Sequence, residues 1–129
     1  MAQVKIYGLK KSLTSIKKDL SATIHKTIVE VLKFPQDKCY HRFMAFDEGD
    51  MIFPNAKSDN YTIIEIMMME GRSVSTKKTL IKSLFKNIEK DLHILKSDIE
   101  ICIIESPSSN WGFGGMCGDE IELSYKVNV

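Results

Sequence analysis

Arginine is scarce in this chain: of 18 basic residues, only Arg42 and Arg72 carry a guanidinium. A basic excess is missing too, because the 18 lysines and arginines face 17 acidic residues and the net charge is +1. Without that excess, the phosphate neutralisation that drives nucleic-acid binding has no source. Cysteine is limited to Cys39, Cys102 and Cys117, an odd number with no C-x-x-C pair, and the histidines His25, His41 and His93 stand at no recognisable ligand spacing. Neither a disulfide framework nor a metal site is expected, and reduced thiols suit a cytosolic protein. Long apolar runs are absent, none approaching the roughly 18 residues of a membrane span. Lys5, Lys10 and Lys11 occupy the stretch where a signal peptide needs its apolar core. The expectation is a cytoplasmic protein with no nucleic-acid or membrane partner and no cofactor.

What remains is ordinary globular material, 43% hydrophobic and 27% charged over 129 residues. A chain of that length suits a single domain, 1–129, which buries about two-thirds of its unfolded surface without a metal or disulfide. Its most informative stretch runs from Tyr61 to Leu92. Tyr61, Ile63, Ile64, Ile66 and Met67 to Met69 form a nearly continuous apolar segment, the pattern of a strand covered on both faces. After Gly71, Leu80, Leu84, Ile88 and Leu92 recur every fourth residue while Lys77, Lys78, Lys82, Lys86 and Lys90 take the other side. That is an amphipathic helix with Ser73 or Ser75 as its N-cap. Arg72 sits between strand and helix, where a guanidinium beside a helix N-terminus suits a small carboxylate. The alternative is a solvated turn arginine.

The first half repeats this plan. Val4 and Ile6 alternate with Gln3 and Lys5, giving a strand that ends near Gly8. Leu13, Ile16, Leu20, Ile24, Ile28 and Leu32 then mark a helix, with Ser12 as N-cap and Pro35 as its stop. Cys39 to Phe46 reads as a second strand, Met51 to Phe53 as a short strand or arm, and Asn55 to Asn60 as a linker. Ile16, Leu20, Ile24 and Ile28 correspond to Leu80, Leu84, Ile88 and Leu92 at a constant offset. With Ile99, Ile101 and Ile103 as the last strand of the second half, residues 2–47 and 61–105 are two βαβ units. They can share one mixed four-stranded sheet if their first strands pair antiparallel at its centre, with both helices on one face, an α/β (α+β) fold. In that geometry the start of the chain lies beside Glu70, Gly71 and Arg72.

Residues 106–129 add a loop, the segment Trp111-Gly112-Phe113-Gly114-Gly115, and a final strand suggested by Leu123, Tyr125 and Val127. The two aromatics can wall a pocket or fill a packing contact. The sheet face opposite the helices has no cover, and self-association would supply one.

The βαβ repeat, the Gly71-Arg72-Ser73 turn, Lys78 and Leu80 on the following helix, and the tail Asn110-Trp111-Gly112-Phe113-Gly114-Gly115 together resemble the tautomerase superfamily. Its long, fused βαβ members, the group that includes malonate semialdehyde decarboxylase, are the most similar. The resemblance implies a homotrimer with pockets near subunit boundaries. It also implies an N-terminal proline acting as general base or acid, an arginine at Arg72 that holds a substrate carboxylate, and pocket walls at Trp111 and Phe113. Ala2 stands here where the proline is implied, and Glu70 where decarboxylase-like members carry a second arginine. Asp37 lies close to an acidic position of that group, with a turn residue after Pro35 as the alternative. Arg42 is a candidate replacement for the missing cation, or else a subunit salt bridge. His25 and His93 read as structural, and His41 carries slightly more weight because of its strand position. Removal of Met1 would leave a primary amine on Ala2 with a reference pKa of about 7.7–8.0; burial or a nearby cation lowers it further. Retention of Met1 would leave an amide with no base. The expectation is a tautomerase-like isomerase of weak or altered activity on a small keto or enol carboxylate. The alternative is a catalytically inactive trimer that binds a small anion or serves as an assembly module.

Overall fold

The computed structural model describes residues 2–129. Strand β1 (Ala2–Leu9) alternates buried and half-buried residues, placing Ala2, Val4 and Ile6 on one face. A single turn, α1 (Lys10–Leu13), follows, and the chain turns through Thr14 to Ile16 before helix α2 (Lys17–Leu32) begins. The continuous first helix expected from the apolar spacing is thus two pieces. Leu13 is drawn down onto Gly8, where a Cβ would stand 3.1 Å from the leucine side chain, and the helix restarts beyond it. Ser12 is not an N-cap, for it lies inside α1 and donates its hydroxyl to the Asp59 carbonyl at 2.7 Å. α2 ends on Lys33 in the left-handed region, two residues before Pro35.

Strand β2 (His41–Phe46) runs parallel to β1, and strand β3 (Thr62–Met69) lies antiparallel to β1. Helix α3 (Val74–Leu92) and strand β4 (Ile99–Ser106), parallel to β3, complete the second unit. The sheet order is β2-β1-β3-β4, so the first strands of the two βαβ units pair at the centre, as the repeat predicts. Ser73 is the α3 N-cap, accepting from the Thr76 amide at 3.1 Å. Leu20, Ile24 and Ile28 of α2 and Leu80, Leu84 and Ile88 of α3 press onto Ile6, Ile64, Ile66 and Met68 in one apolar core. Each such side chain, fully buried, stabilises the fold by about 1.5–3 kcal/mol.

Three expectations are corrected. β3 is fully covered on one face only, since Ile63, Glu65 and Met67 on the other are half-buried in the single chain. Met51 to Phe53 form no strand, and Ile52 is 94% exposed. No strand forms after the short hairpin of β5 (Gly112–Phe113) and β6 (Met116–Cys117), although residues 123–127 alternate. That alternation comes from packing. Tyr125 sets its ring edge-on to Phe34 at 5.0 Å, and the chain ends not against a strand edge but over the start of α3.

Tyr61, just before β3, donates its phenol to Glu100 at 2.7 Å. Burial, and then that carboxylate, push its pKa up to about 12. Because the folded state disfavours the phenolate, the stabilisation is complete below about pH 10 and is lost as pH rises toward 12. Tyr61→Phe should cost about 0.5–1.5 kcal/mol at neutral pH and remove this alkaline limb. Urea unfolding of both proteins from pH 8 to 12 checks it, and parallel pH profiles would contradict it.

Candidate active site

One end of the sheet gathers the features that carry chemistry. In the central antiparallel pair Ala2 stands opposite Met68, so the head of β1 lies beside the tail of β3 and the turn to α3. β2 begins at the same end, where the Val4 amide donates to the Tyr40 carbonyl at 2.9 Å. β4 finishes there, its Ser106 carbonyl accepting from the Glu70 amide at 3.0 Å. Ala2 is 3% exposed. Met1 lies outside the described residues, and with it the choice between a free amine and an amide at Ala2.

Gly71 makes the turn from β3 to α3 with φ at +139°, a conformation that favours glycine. A Cβ there would also meet Asn128 Oδ1 at 2.7 Å and Val127 Cγ1 at 2.8 Å. The C-terminal residues therefore lie directly on this turn. The Val129 carbonyl accepts from the Ser73 amide at 3.2 Å and from the Thr76 hydroxyl at 2.9 Å, so the tail occupies donors of the α3 N-terminus.

Beneath this tail lies Arg72, 4% exposed. Its Nη1 donates to the Met69 carbonyl at 3.2 Å, whereas Nε and Nη2 are buried with no partner in hydrogen-bonding geometry. Burial pulls the guanidinium below its ordinary pKa, while Tyr125 and Glu105 nearby pull it back. Burial likewise pushes the Tyr125 phenol up, and Arg72 opposes the shift. Glu105 is itself engaged by Lys77 at 2.6 Å. A buried arginine that leans on the Tyr125 phenol, with Nε and Nη2 lacking a hydrogen bond of good geometry, has donors to offer a carboxylate, and at 4% exposure the solvated-turn alternative for Arg72 does not hold.

Trp111 approaches the same end from the tail. Its indole Nε1 donates to the Ser106 carbonyl at 3.4 Å, and its ring stacks on Phe113 with centroids 5.6 Å apart. Both rings are half-buried. Gly118 clamps the hairpin beneath them, where a Cβ would come within 2.4 Å of the Ser108 carbonyl and 2.9 Å of Trp111 Cβ.

The other candidates stand apart from Arg72. Arg42 is exposed on the open face of the sheet and donates to Gln3 Oε1 at 3.1 Å, one strand over from Ala2's own. Asp37 is exposed in the turn after α2. Gln3, Cys39, Tyr40, His41 and Arg42 line a shallow hollow beside the head of β1. Spacing did not single out Tyr125 or Glu105 for the surroundings of Arg72, because one comes from the tail and the other from the far edge of the sheet. The histidines also gain a context that spacing hides. His41 Nδ1 lies 2.8 Å from Ser21 Oγ, and its ring faces that of His25 edge-on at 6.0 Å. Burial first, and His25 second, hold His41 down to about 4, so its ring is neutral at pH 7.

The family model described as "Tautomerase enzyme" matches residues 38–114, which include Arg42, Arg72, Trp111 and Phe113. The chain belongs to this tautomerase family. The matched residues begin after Ala2 and Asp37. The probable tautomerase YusQ of Bacillus subtilis (strain 168) is 23% identical over 108 residues, covering 80% of this chain and 85% of the relative. Among solved structures, malonate semialdehyde decarboxylase superposes with a TM-score of 0.77 at 20% identity, covering 87% of this chain and 90% of its own. A fused 4-OT described as an asymmetric trimer superposes with a TM-score of 0.81 at 15% identity, covering 92% and 97%. The fold of this tautomerase-family chain is therefore the one its sequence resemblance implies. No helix among the described residues is long and apolar enough to cross a membrane.

Proposed function

We propose that this protein is a tautomerase-like isomerase that binds a small keto or enol carboxylate at the Arg72 end of the sheet. The observation that carries the reading is the pairing of Ala2 with Met68, which brings the head of β1 to the end of the sheet where the buried Arg72 guanidinium lies against Tyr125. Arg72 anchors the carboxylate by charge-assisted hydrogen bonds, and Trp111 with Phe113 forms the apolar wall. With Met1 removed, the Ala2 amine carries the proton. The burial of Ala2 and a nearby cation favour the neutral form, which takes a proton from the carbon beside a carbonyl and returns it elsewhere on the same framework. Arg42 and Asp37, both exposed in the single chain, reach a ligand only at a subunit boundary. Tyr40, Met44 and Ile104 remain 40–47% exposed on the open side, apolar surface that assembly in threes would cover.

A second reading has its own support. Ala2 replaces the proline that the resemblance implies, so a trimer that keeps the pocket and binds a small anion without turning it over also fits. Phenylenolpyruvate ketonisation, assayed on protein of known intact mass, separates the two. Turnover by protein lacking Met1, abolished when Met1 is retained, is the expected result. No turnover by Met1-free protein that still binds the carboxylate would establish the binder.

A further inference from the structure

We propose that His25, Cys39 and His41 form a zinc-binding site with one coordination position open to solvent. One potential ligand atom from each of the three lies within 4.8 Å of the others. The cluster is built from two elements. Cys39 and His41 are two residues apart where the chain enters β2, and in extended chain that spacing puts both side chains on the same face. His25, on α2, comes down over that face, its ring edge-on to that of His41.

The surroundings already hold the rings as a metal site requires. His25 Nε2 lies 2.7 Å from the Gln36 carbonyl. A carbonyl only accepts, so Nε2 carries the proton and Nδ1 keeps the lone pair a metal needs. His41 Nδ1 lies 2.8 Å from Ser21 Oγ, and a hydroxyl that accepts there leaves the Nε2 lone pair available. Each imidazole thus has an outer partner that fixes its plane, the arrangement found behind metal-bound histidines.

Two imidazoles and a thiolate are a borderline-soft donor set that suits zinc, whereas magnesium and calcium require oxygen ligands. Tetrahedral zinc with nitrogen ligands at about 2.0–2.1 Å and sulfur at about 2.3 Å sets ligand atoms about 3.3–3.6 Å apart. Closing from the present spacing needs an inward movement of about an ångström. Cys39 is exposed and lies outside the regular strand, so it is the member free to make that movement. The shallow hollow lined by Gln3, Cys39, Tyr40, His41 and Arg42 opens beside it and gives a water room to complete the coordination.

The test uses untagged, full-length, chelator-treated protein titrated with Co2+ as a spectroscopic probe and then with Zn2+ against a competing chelator. One metal ion per chain is expected, with thiolate-to-cobalt charge-transfer absorption, displacement of cobalt by zinc, and zinc protection of Cys39 from alkylation while Cys102 and Cys117 still react. Cys39→Ser should weaken zinc binding by about 100-fold or more and abolish the charge-transfer band. His25→Gln should weaken binding while circular dichroism shows the fold unchanged. Absence of the charge-transfer band, affinity unaltered in Cys39→Ser, or loss of binding in Cys117→Ser in place of Cys39→Ser would overturn the assignment. The last outcome would move the metal to the exposed Cys117, Asp119 and Glu120 group.

Discussion

Arg72→Met is expected to weaken the binding of small carboxylates by about 1.5–3 kcal/mol, or about 10- to 150-fold, the scale of hydrogen bonds to a charged group. Stability should move by less than about 1 kcal/mol in the same variant. The two outcomes are linked by the surroundings of the guanidinium. Among the described residues its Nη1 donates to the Met69 carbonyl and the Tyr125 phenol lies against it, while Nε and Nη2 are desolvated with no hydrogen bond of good geometry. Methionine fills similar space without a charge to desolvate, so what is lost with Met69, Glu105 and Tyr125 is offset by the relief of burying a cation. Calorimetric titration with a small keto acid, alongside urea unfolding, measures both. A loss of several kcal/mol in stability with carboxylate affinity intact would make Arg72 a structural cation and remove it from the site.

Gly118→Ala should open the aromatic wall. The added methyl would stand 2.4 Å from the Ser108 carbonyl and 2.9 Å from Trp111 Cβ, neither of which can swing aside by a side-chain rotation. The hydrogen bond from the Gly118 amide to the Trp111 carbonyl, 2.7 Å long, would be broken as the hairpin moves away. Overpacking of this kind costs about 1–3 kcal/mol. Since Trp111 is the single tryptophan, its emission reports the change directly. A red shift, easier quenching by acrylamide and a weakened KM for any substrate turned over are expected. Emission and stability equal to the parent would show that the hairpin does not depend on this contact.

The parts of the fold that were legible in the sequence are those that repeat. Ile16, Leu20, Ile24 and Ile28 against Leu80, Leu84, Ile88 and Leu92 revealed two matching units, and a right-handed crossover in each leaves few ways to share a sheet. The antiparallel register of Ala2 with Met68 follows from that arrangement. Local signals fared unevenly. Ser73 caps α3, whereas Ser12, equally suitable by residue type, is turned toward Asp59 by a contact 47 residues away. Tyr125 looked like strand because aromatic alternation is a short-range pattern, and its true partner, Phe34, lies ninety-one positions earlier in the chain. For the same reason His25 is invisible as a neighbour of Cys39 and His41, since spacing along a chain cannot report a helix laid across a strand. The burial of Arg72 was equally hidden, because the tail that covers it has no regular structure to recognise.

The central antiparallel pair has one more consequence, at the opposite end of the sheet, where β1 finishes beside the start of β3. The pseudo-twofold relation between the units produces a second corner there, with α1 leaving β1 much as α3 leaves β3. Its cation, Lys11, is already neutralised by Glu48 and by Asp59 at 3.0 Å, and its serine, Ser12, is held by the Asp59 carbonyl. The two corners of the doubled architecture are therefore unlike, and the site proposed at Arg72 predicts one acidic ligand per polypeptide.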